Sequence, residues 1–381
     1  MFYQLPPVGN PVTLSGKHDV AVSSFFPTDQ TRFYCSGTAA LAAAICAAKK
    51  LKASTAPEVI LPAYACPDLV SAAVYAGVKP VLVDLAAERP WLDLPQLAKA
   101  ITAETIAIIG VNLFGIAERW TQLRELALQK DVVLIEDSAQ YFPGGEAPDD
   151  WHGDIVVLSF GRGKPVSLLG GGAVLVNKAS LTDLLPLPEA KVASMNLRLS
   201  FKLKASMYNA MISPYLYWLP QMLPFLHLGE TRYHALESIE SMDRVRTELL
   251  MNNISRYQKD IKALERSEKI SSMLDALPKV NNLPKTCKMN VSRRLLRYPI
   301  LVDAASRDRI YLKLKQAGLG PSIMYPGSLP KITGLKQIIE DKQSFPNAEM
   351  FASKLLTLPT HAYVGDGNVE KIKAILSDVD Q

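Results

Sequence analysis

Cysteine is scarce in this chain and unpaired: Cys35, Cys46, Cys66 and Cys287 stand far apart with no Cys-x-x-Cys spacing, so a reducing cytoplasm is the expected home. The opening stretch MFYQLPPVGNPVTLSG lacks a basic region followed by an apolar run, and no secretory leader is expected from it. Charge of one sign is not in excess either. Lys and Arg number 42 against 37 Asp and Glu, a scattered net charge of +5 that argues against nucleic acid as a partner. With 48% hydrophobic and 21% charged residues there is little room for extended disorder. Ala205 to Gly229, ASMYNAMISPYLYWLPQMLPFLHLG, has no Asp, Glu, Lys or Arg at all. Pro214, Pro220 and Pro224 would interrupt a membrane-spanning helix there, while Trp218 and the tyrosines suit an interface better than hydrocarbon.

The 381 residues exceed the usual size of one domain, so a large domain and a smaller one are expected. Ser36-Gly-Thr38 opens an alanine-rich helix, and short Val/Ile/Leu strands then alternate with helices: EVILPAY, KPVLVDL, TIAIIGVNLFG, DVVLIED, GDIVVLSF and GGAVLVN. Such strands indicate an α/β fold whose mostly parallel sheet is buried on both faces. The pattern changes after about residue 185. Residues 235 to 267 read as one long helix, and LRYPILVDA, SRDRIYLKLKQAG and VEKIKAILSDV suggest a small α+β domain.

In open parallel sheets, ligands bind outside the carboxyl ends of the strands. The SGT helix start offers Gly37 and Thr38 to an anion such as phosphate, although Ser-Gly-Thr is also a good helix cap. Asp137 in IEDSAQ ends an apolar strand, where a buried carboxylate needs a partner, a protonated ring nitrogen being one, and where an ordinary loop cap is the plainer role. SFGRGK sets Ser159 and Lys164 five residues apart after a strand. The phosphate-loop pattern fails there because Pro165 replaces the hydroxyl residue. Lys164 is then either a solvated charge, a phosphate ligand, or an amine of lowered pKa that attacks carbonyl carbon. The glycines of GGGAVLV allow backbone to pass close to a flat cofactor.

Taken in order, SGTAAL, VILPAY, AGVKPVLVDL, NLFG, IEDSAQ, GDIVVLSFxxxK and GGAVLV, with MYP at 324 to 326 and FPNAEMFASKLLTLPTH at 345 to 361, resemble the landmark series of the DegT/DnrJ group. These are pyridoxal-phosphate-dependent nucleotide-sugar aminotransferases. The resemblance covers about residues 30 to 185 and 235 to 380. It implies an aspartate-aminotransferase-like fold of type I, with a seven-stranded, mostly parallel sheet flanked by helices and a smaller C-terminal α+β domain. The corresponding division is an N-terminal arm (1–30), a large cofactor domain (31–230, with the apolar insertion at about 186–229), and a long helix with the small domain (231–381).

The resemblance also implies roles. Lys164 matches the lysine that holds pyridoxal 5'-phosphate and moves the proton, Asp137 the carboxylate on the pyridine nitrogen, and Gln140 the residue beside the ring. Ser159, Gly37 and Thr38 match the phosphate cradle. An amino donor, typically glutamate, and a keto-sugar acceptor are implied, with no metal and with a homodimer sharing its active sites. Retention of lysine at 164 argues against the dehydratase branch, which has histidine there. Cys66 stands where the family has an aromatic ring stacked on the cofactor, and Tyr64 is the alternative. Arg162, inside SFGRGK, is a candidate for a phosphate or substrate carboxylate; Tyr325 belongs to the MYP signature. Arg232 is the nearest match to the family's motif that reaches a neighbouring subunit's phosphate.

Three readings of function follow: a keto-sugar aminotransferase, another pyridoxal-phosphate enzyme of lyase or acyl-transfer type, and a non-catalytic regulatory relative. The stretch 197–228 begins LRLSFKLK, alternating apolar and basic. It is expected to cover the active site or a subunit interface, the prolines preventing a continuous amphipathic helix; contact with the inner membrane surface is the alternative.

Overall fold

The computed structural model describes residues 3–15, 25–27, 29–144, 151–189, 197–222, 229–290, 293–339 and 343–378. The strands of the main sheet are β1 (Thr31–Tyr34), β2 (Glu58–Pro62), β3 (Lys79–Val83), β4 (Thr105–Val111), β5 (Val133–Asp137), β6 (Ile155–Ser159) and β7 (Gly172–Val176). They lie in the order β1-β7-β6-β5-β4-β2-β3. The run from β6 to β3 is parallel, and β7 and β1 close one edge antiparallel.

Alternation along each strand sends side chains to two different layers of helices. Helices α1 (Gly37–Leu51) and α2 (Asp68–Tyr75) cover one face, where Val59, Leu61, Ile109, Ile135 and Val157 meet the alanines of α1. Those alanines let α1 lie close against the sheet. Helices α3 (Leu94–Ala100) and α4 (Trp120–Lys130) cover the other face over Ile60, Ile108 and Leu134. The remainder of that face, Val156, Leu158 and Leu175, is covered by α5 (Leu197–Met211) and by the later helix α7 (Arg244–Lys259). Between these two comes the short α6 (Trp218–Gln221).

The long helix expected over 235 to 267 is two helices with an extended lead-in. Residues Glu240 and Ser241 bridge to Glu189 and Tyr34, and Asp243 caps α7 (Arg244–Lys259) by accepting from the Arg246 N–H at 3.1 Å. The chain then breaks at Asp260 before α8 (Lys262–Leu274). Arg294 fixes that break: its guanidinium donates to the carbonyls of Tyr257 and, at 2.7 Å, Gln258, the last turn of α7. Val245, Leu249 and Ile254 bury α7 in the layer over β6 and β7, so by packing it goes with the main sheet.

A second sheet, β8 (Asn281–Asn282), β9 (Tyr298–Leu301) and β10 (Leu355–Leu358), is antiparallel in the order β10-β9-β8. It packs with α9 (Leu283–Thr286), α10 (Ala304–Gln316), α11 (Pro346–Lys354) and α12 (Asp366–Ser377). Asp84, just beyond β3, ties the two parts together by accepting the N–H groups of Asn347 and Ala348 at the start of α11, at 3.0 and 2.8 Å. The apolar insertion also departs from expectation. A continuous 15-residue helix, α5, forms because all its residues precede Pro214.

The N-terminal segment runs across both parts as a strap. Leu5 N–H donates to Gly318 O at 2.8 Å, Asn10 Nδ2 donates to Lys164 O at 3.0 Å, and Pro6 O lies 2.7 Å from Nε2 of buried His361. Burial holds His361 down to about 4. Because this lies below the unfolded value, the folded state binds fewer protons, and the stabilisation, complete above pH 6.5, is lost as pH falls towards 4. The urea midpoint is therefore expected to fall across that window, and His361→Gln is expected to remove up to about 3 kcal/mol of the dependence; parallel curves for the two proteins would contradict this.

Candidate active site

At the carboxyl ends of β4, β5 and β6, the start of α1 faces the loop that carries Lys164. Ser36 caps α1 by accepting from Ala39 N–H at 3.0 Å. This uses Ser36 as the helix cap and leaves Gly37 and Thr38 on the rim of a cavity. A Cβ on Gly37 would stand 2.6 Å from Ser159 Cβ and 2.7 Å from its Oγ, so glycine is what lets the helix start meet the strand end. Backbone N–H groups in a first helical turn lack intrahelical partners and, with the helix dipole, favour an anion. Ser159 Oγ stands beside them.

Gly37, Thr38, Cys66, Asp137, Gln140, Ser159, Lys164 and Tyr325 all line this cavity. Leu41, Leu69, Val111, Leu113 and Val157 supply apolar walls. Asp137 is buried, and its carboxylate accepts one hydrogen bond among the described residues, from Ala139 N–H at 2.9 Å. Desolvation raises its pKa, opposed by the Ala139 bond and the charge of Lys164. The Lys164 ammonium makes no hydrogen bond or ion pair among the described residues. A buried carboxylate and an uncommitted amine thus share one cavity with an anion-favouring helix start.

Neighbouring residues hold that arrangement. Period-two alternation on β5 turns Glu136 away from Asp137, into bonds with Asn112 Nδ2 (2.9 Å), Ser138 Oγ (2.8 Å) and the N–H groups of His152 and Gly153 (2.6 and 3.0 Å). Asn112, just after β4, donates also to Ser138 Oγ at 2.7 Å and accepts from Trp120 Nε1 at 3.2 Å. The next turn puts Phe114 at φ 62°, in the left-handed region, and its N–H donates to Gln140 Oε1 at 3.0 Å. Gln140 Nε2 is then aimed at Tyr325 Oη, 3.2 Å away, joining the second part of the chain to the cavity. Burial pushes the Tyr325 phenol well above its ordinary value.

The residues at the ring-stacking position separate. Cys66 lines the cavity as a neutral thiol, pushed up to about 12 chiefly by burial and next by the charge of Asp68. Tyr64 does not line it. Its hydroxyl donates to Tyr325 O at 3.2 Å and its ring packs edge-on against Tyr325 and Phe351. Arg162 is exposed, and Arg232 pairs with Glu230 at 2.6 Å; neither lines the cavity. Sequence reasoning missed Asp68, which lines the cavity at the start of α2, although the strand-end rule applied to PAYACPD would have found it. It also missed Arg297, whose buried Nε has no hydrogen-bond partner and whose charge adjoins Tyr217 and Tyr325. Among the described residues no cluster of His, Cys, Asp and Glu is arranged to hold a metal ion.

Residues 17–188 and 241–377 match the model of the DegT/DnrJ/EryC1/StrS aminotransferase family, and the chain belongs to that family. It is 24% identical over 328 residues, 84% of this chain and 79% of the relative, to the UDP-2-acetamido-2-deoxy-3-oxo-D-glucuronate aminotransferase of Pseudomonas aeruginosa. Among solved structures it resembles NtdA of Bacillus subtilis with bound cofactor PMP at a TM-score of 0.69 and 19% identity, covering 92% of this chain and 73% of that one. It resembles DesV of S. venezuelae at a TM-score of 0.69 and 20% identity, covering 94% and 87%. These likenesses establish the fold, the aspartate-aminotransferase-like type I.

Two measurements probe the site directly. Gly37→Ala is expected to cost about 1–3 kcal/mol of stability by overpacking against Ser159, read from urea unfolding; an unchanged midpoint would mean the helix start is free to move. Cys66 is expected to resist iodoacetamide at pH 8 in the folded protein, since only the thiolate reacts. Rapid labelling of Cys66 on intact-mass analysis would refute the neutral thiol.

Proposed function

We propose that the protein is a pyridoxal 5'-phosphate-dependent aminotransferase that passes an amino group, with glutamate as donor, to a nucleotide-linked keto sugar in amino-sugar and polysaccharide biosynthesis. The observation that carries this reading is the presence of uncommitted Lys164 and buried Asp137 in one cavity that ends on the α1 start. The residues fit the cofactor at each of its polar positions. Gly37, Thr38 and Ser159 would hold the phosphate, Asp137 the ring nitrogen, Lys164 the carbonyl carbon, and Gln140 the ring's edge. When bound, pyridoxal phosphate supplies an electron sink that eases loss of a proton from an amino-bearing carbon.

The protein's own part is proton traffic and placement. Lys164 Nζ would carry the proton between the amino-bearing carbon of the substrate and the carbonyl-derived carbon of the cofactor, a general acid–base role. Asp137, ionised against a cationic nitrogen, would regain the charge that burial now penalises. The apolar walls exclude water, and Tyr325, fixed by Gln140, closes the side nearest the second sheet. Arg297, half-buried and with an unpartnered Nε, is a candidate for an anionic group of the substrate beyond the cavity lining. A cytoplasmic homodimer with shared active sites belongs to the same proposal, as does the division into arm (1–30), large domain (31–230) and C-terminal part (231–381), with α7 of the last part packed on the large domain's sheet. Arg162 and Arg232, outside the cavity of one chain, are then candidates for contacts at its mouth or with the partner subunit.

Borohydride treatment of protein incubated with pyridoxal phosphate is expected to leave a reduced adduct on Lys164, found by peptide mass analysis and absent in Lys164→Ala. Lys164→Ala should lower kcat by about 10²- to 10⁴-fold. Added glutamate should convert the cofactor to its amine form, detected by absorbance. No adduct on Lys164 would overturn the cofactor reading, and an adduct unaffected by any amino donor would overturn the transfer reading.

A further inference from the structure

Helix α5 is apolar on two opposite faces. Phe201 and Ala205 are buried, as is Ile212 just past the helix, and on the inner side Asn209 is bound at both ends of its amide to the backbone of Val12, at 2.7 and 2.8 Å. Outward, Leu199, Leu203 and Met207 stand one turn apart at 74%, 70% and 53% exposure. Past the helix, Tyr215, Leu219 and Met222 remain 69%, 42% and 69% exposed. Isolated exposed apolar residues are ordinary on soluble proteins, but a contiguous row on one helix marks a contact surface.

The charges beside the row are of one sign. Arg198, Lys202 and Lys204 flank it, and no Asp or Glu occurs anywhere from residue 190 to 229. The acid that reaches the helix, Glu248, lies 3.7 Å from Arg198 and 2.8 Å from Arg244, so two guanidinium groups already share it. Lys202 and Lys204 make no ion pair among the described residues. No helix described is long and apolar enough to cross a membrane. A 15-residue helix of this kind, about 22 Å long, has the build of an element that lies in a membrane interface.

We propose that this face docks on an anionic phospholipid surface, Leu199, Leu203 and Met207 entering the headgroup boundary while Lys202 and Lys204 meet lipid phosphate. A second copy would meet these cations with the same segment, which has no Asp or Glu from residue 190 to 229. Lipid phosphate supplies the anion that the segment itself lacks.

Flotation of the full-length protein with vesicles of phosphatidylglycerol and phosphatidylcholine, against phosphatidylcholine alone, tests this without any turnover measurement and so fails independently of the aminotransferase reading. Expected is binding to the anionic vesicles only, weakened about fivefold by each of Lys202→Gln and Lys204→Gln and abolished by Leu203→Glu. Circular dichroism should show all three variants folded, since the substituted side chains are in solvent. Absence of flotation with anionic vesicles, or flotation indifferent to the three variants, would overturn the proposal. So would a wild-type dimer that does not float and that Leu203→Glu converts to a monomer, which would assign the face to a second copy.

Discussion

The side-chain amide of Asn112 joins two neighbouring strand ends, and the polar groups around the cavity depend on it. It donates to Glu136 and Ser138 on the β5 side and accepts from Trp120 at the head of α4. Glu136 in turn holds the backbone of His152 and Gly153 ahead of β6. Strands buried on both faces have no water at hand, so a polar strand end persists only when its partners come from the protein. The network meets that requirement on one side of β5 and thereby leaves Asp137, on the other side, free to face the cavity.

The separation of roles between Glu136 and Asp137 illustrates how two adjacent carboxylates come to behave differently. Both are buried, but one has a full set of donors and the other a single backbone N–H. An acid of the first kind is structural. One of the second kind sits uneasily until a cation arrives, and such unease is a common mark of functional sites.

Much of the sheet was legible in the sequence because each central strand is a short Val/Ile/Leu run with helical signals on either side. The strand-end rule then led to Asp137, Ser159 and Lys164, since a polar residue just past a buried strand has few places to go. What escaped depended on contacts between residues far apart in the chain. Tyr64 turns from the cavity because its hydroxyl finds the backbone of Tyr325, 261 residues away. The break after α7 needs Arg294, and the left-handed turn at Phe114 needs Gln140, neither of which is local. Alternating apolar and basic residues in LRLSFKLK hid a helix whose outward face is as apolar as its inward one.

The strap formed by the first residues has a temporal consequence. Pro6 meets His361 across 355 positions, and Asn10 meets the carbonyl of the lysine at 164 across 154. The contact at Pro6 can therefore close only once position 361 has been synthesised. Contacts of such long sequence separation are slow to form. The strap that brings Asn10 to the lysine loop is thus secured at its other end by the second part of the chain, which ties the restraint on that loop to the assembly of both parts.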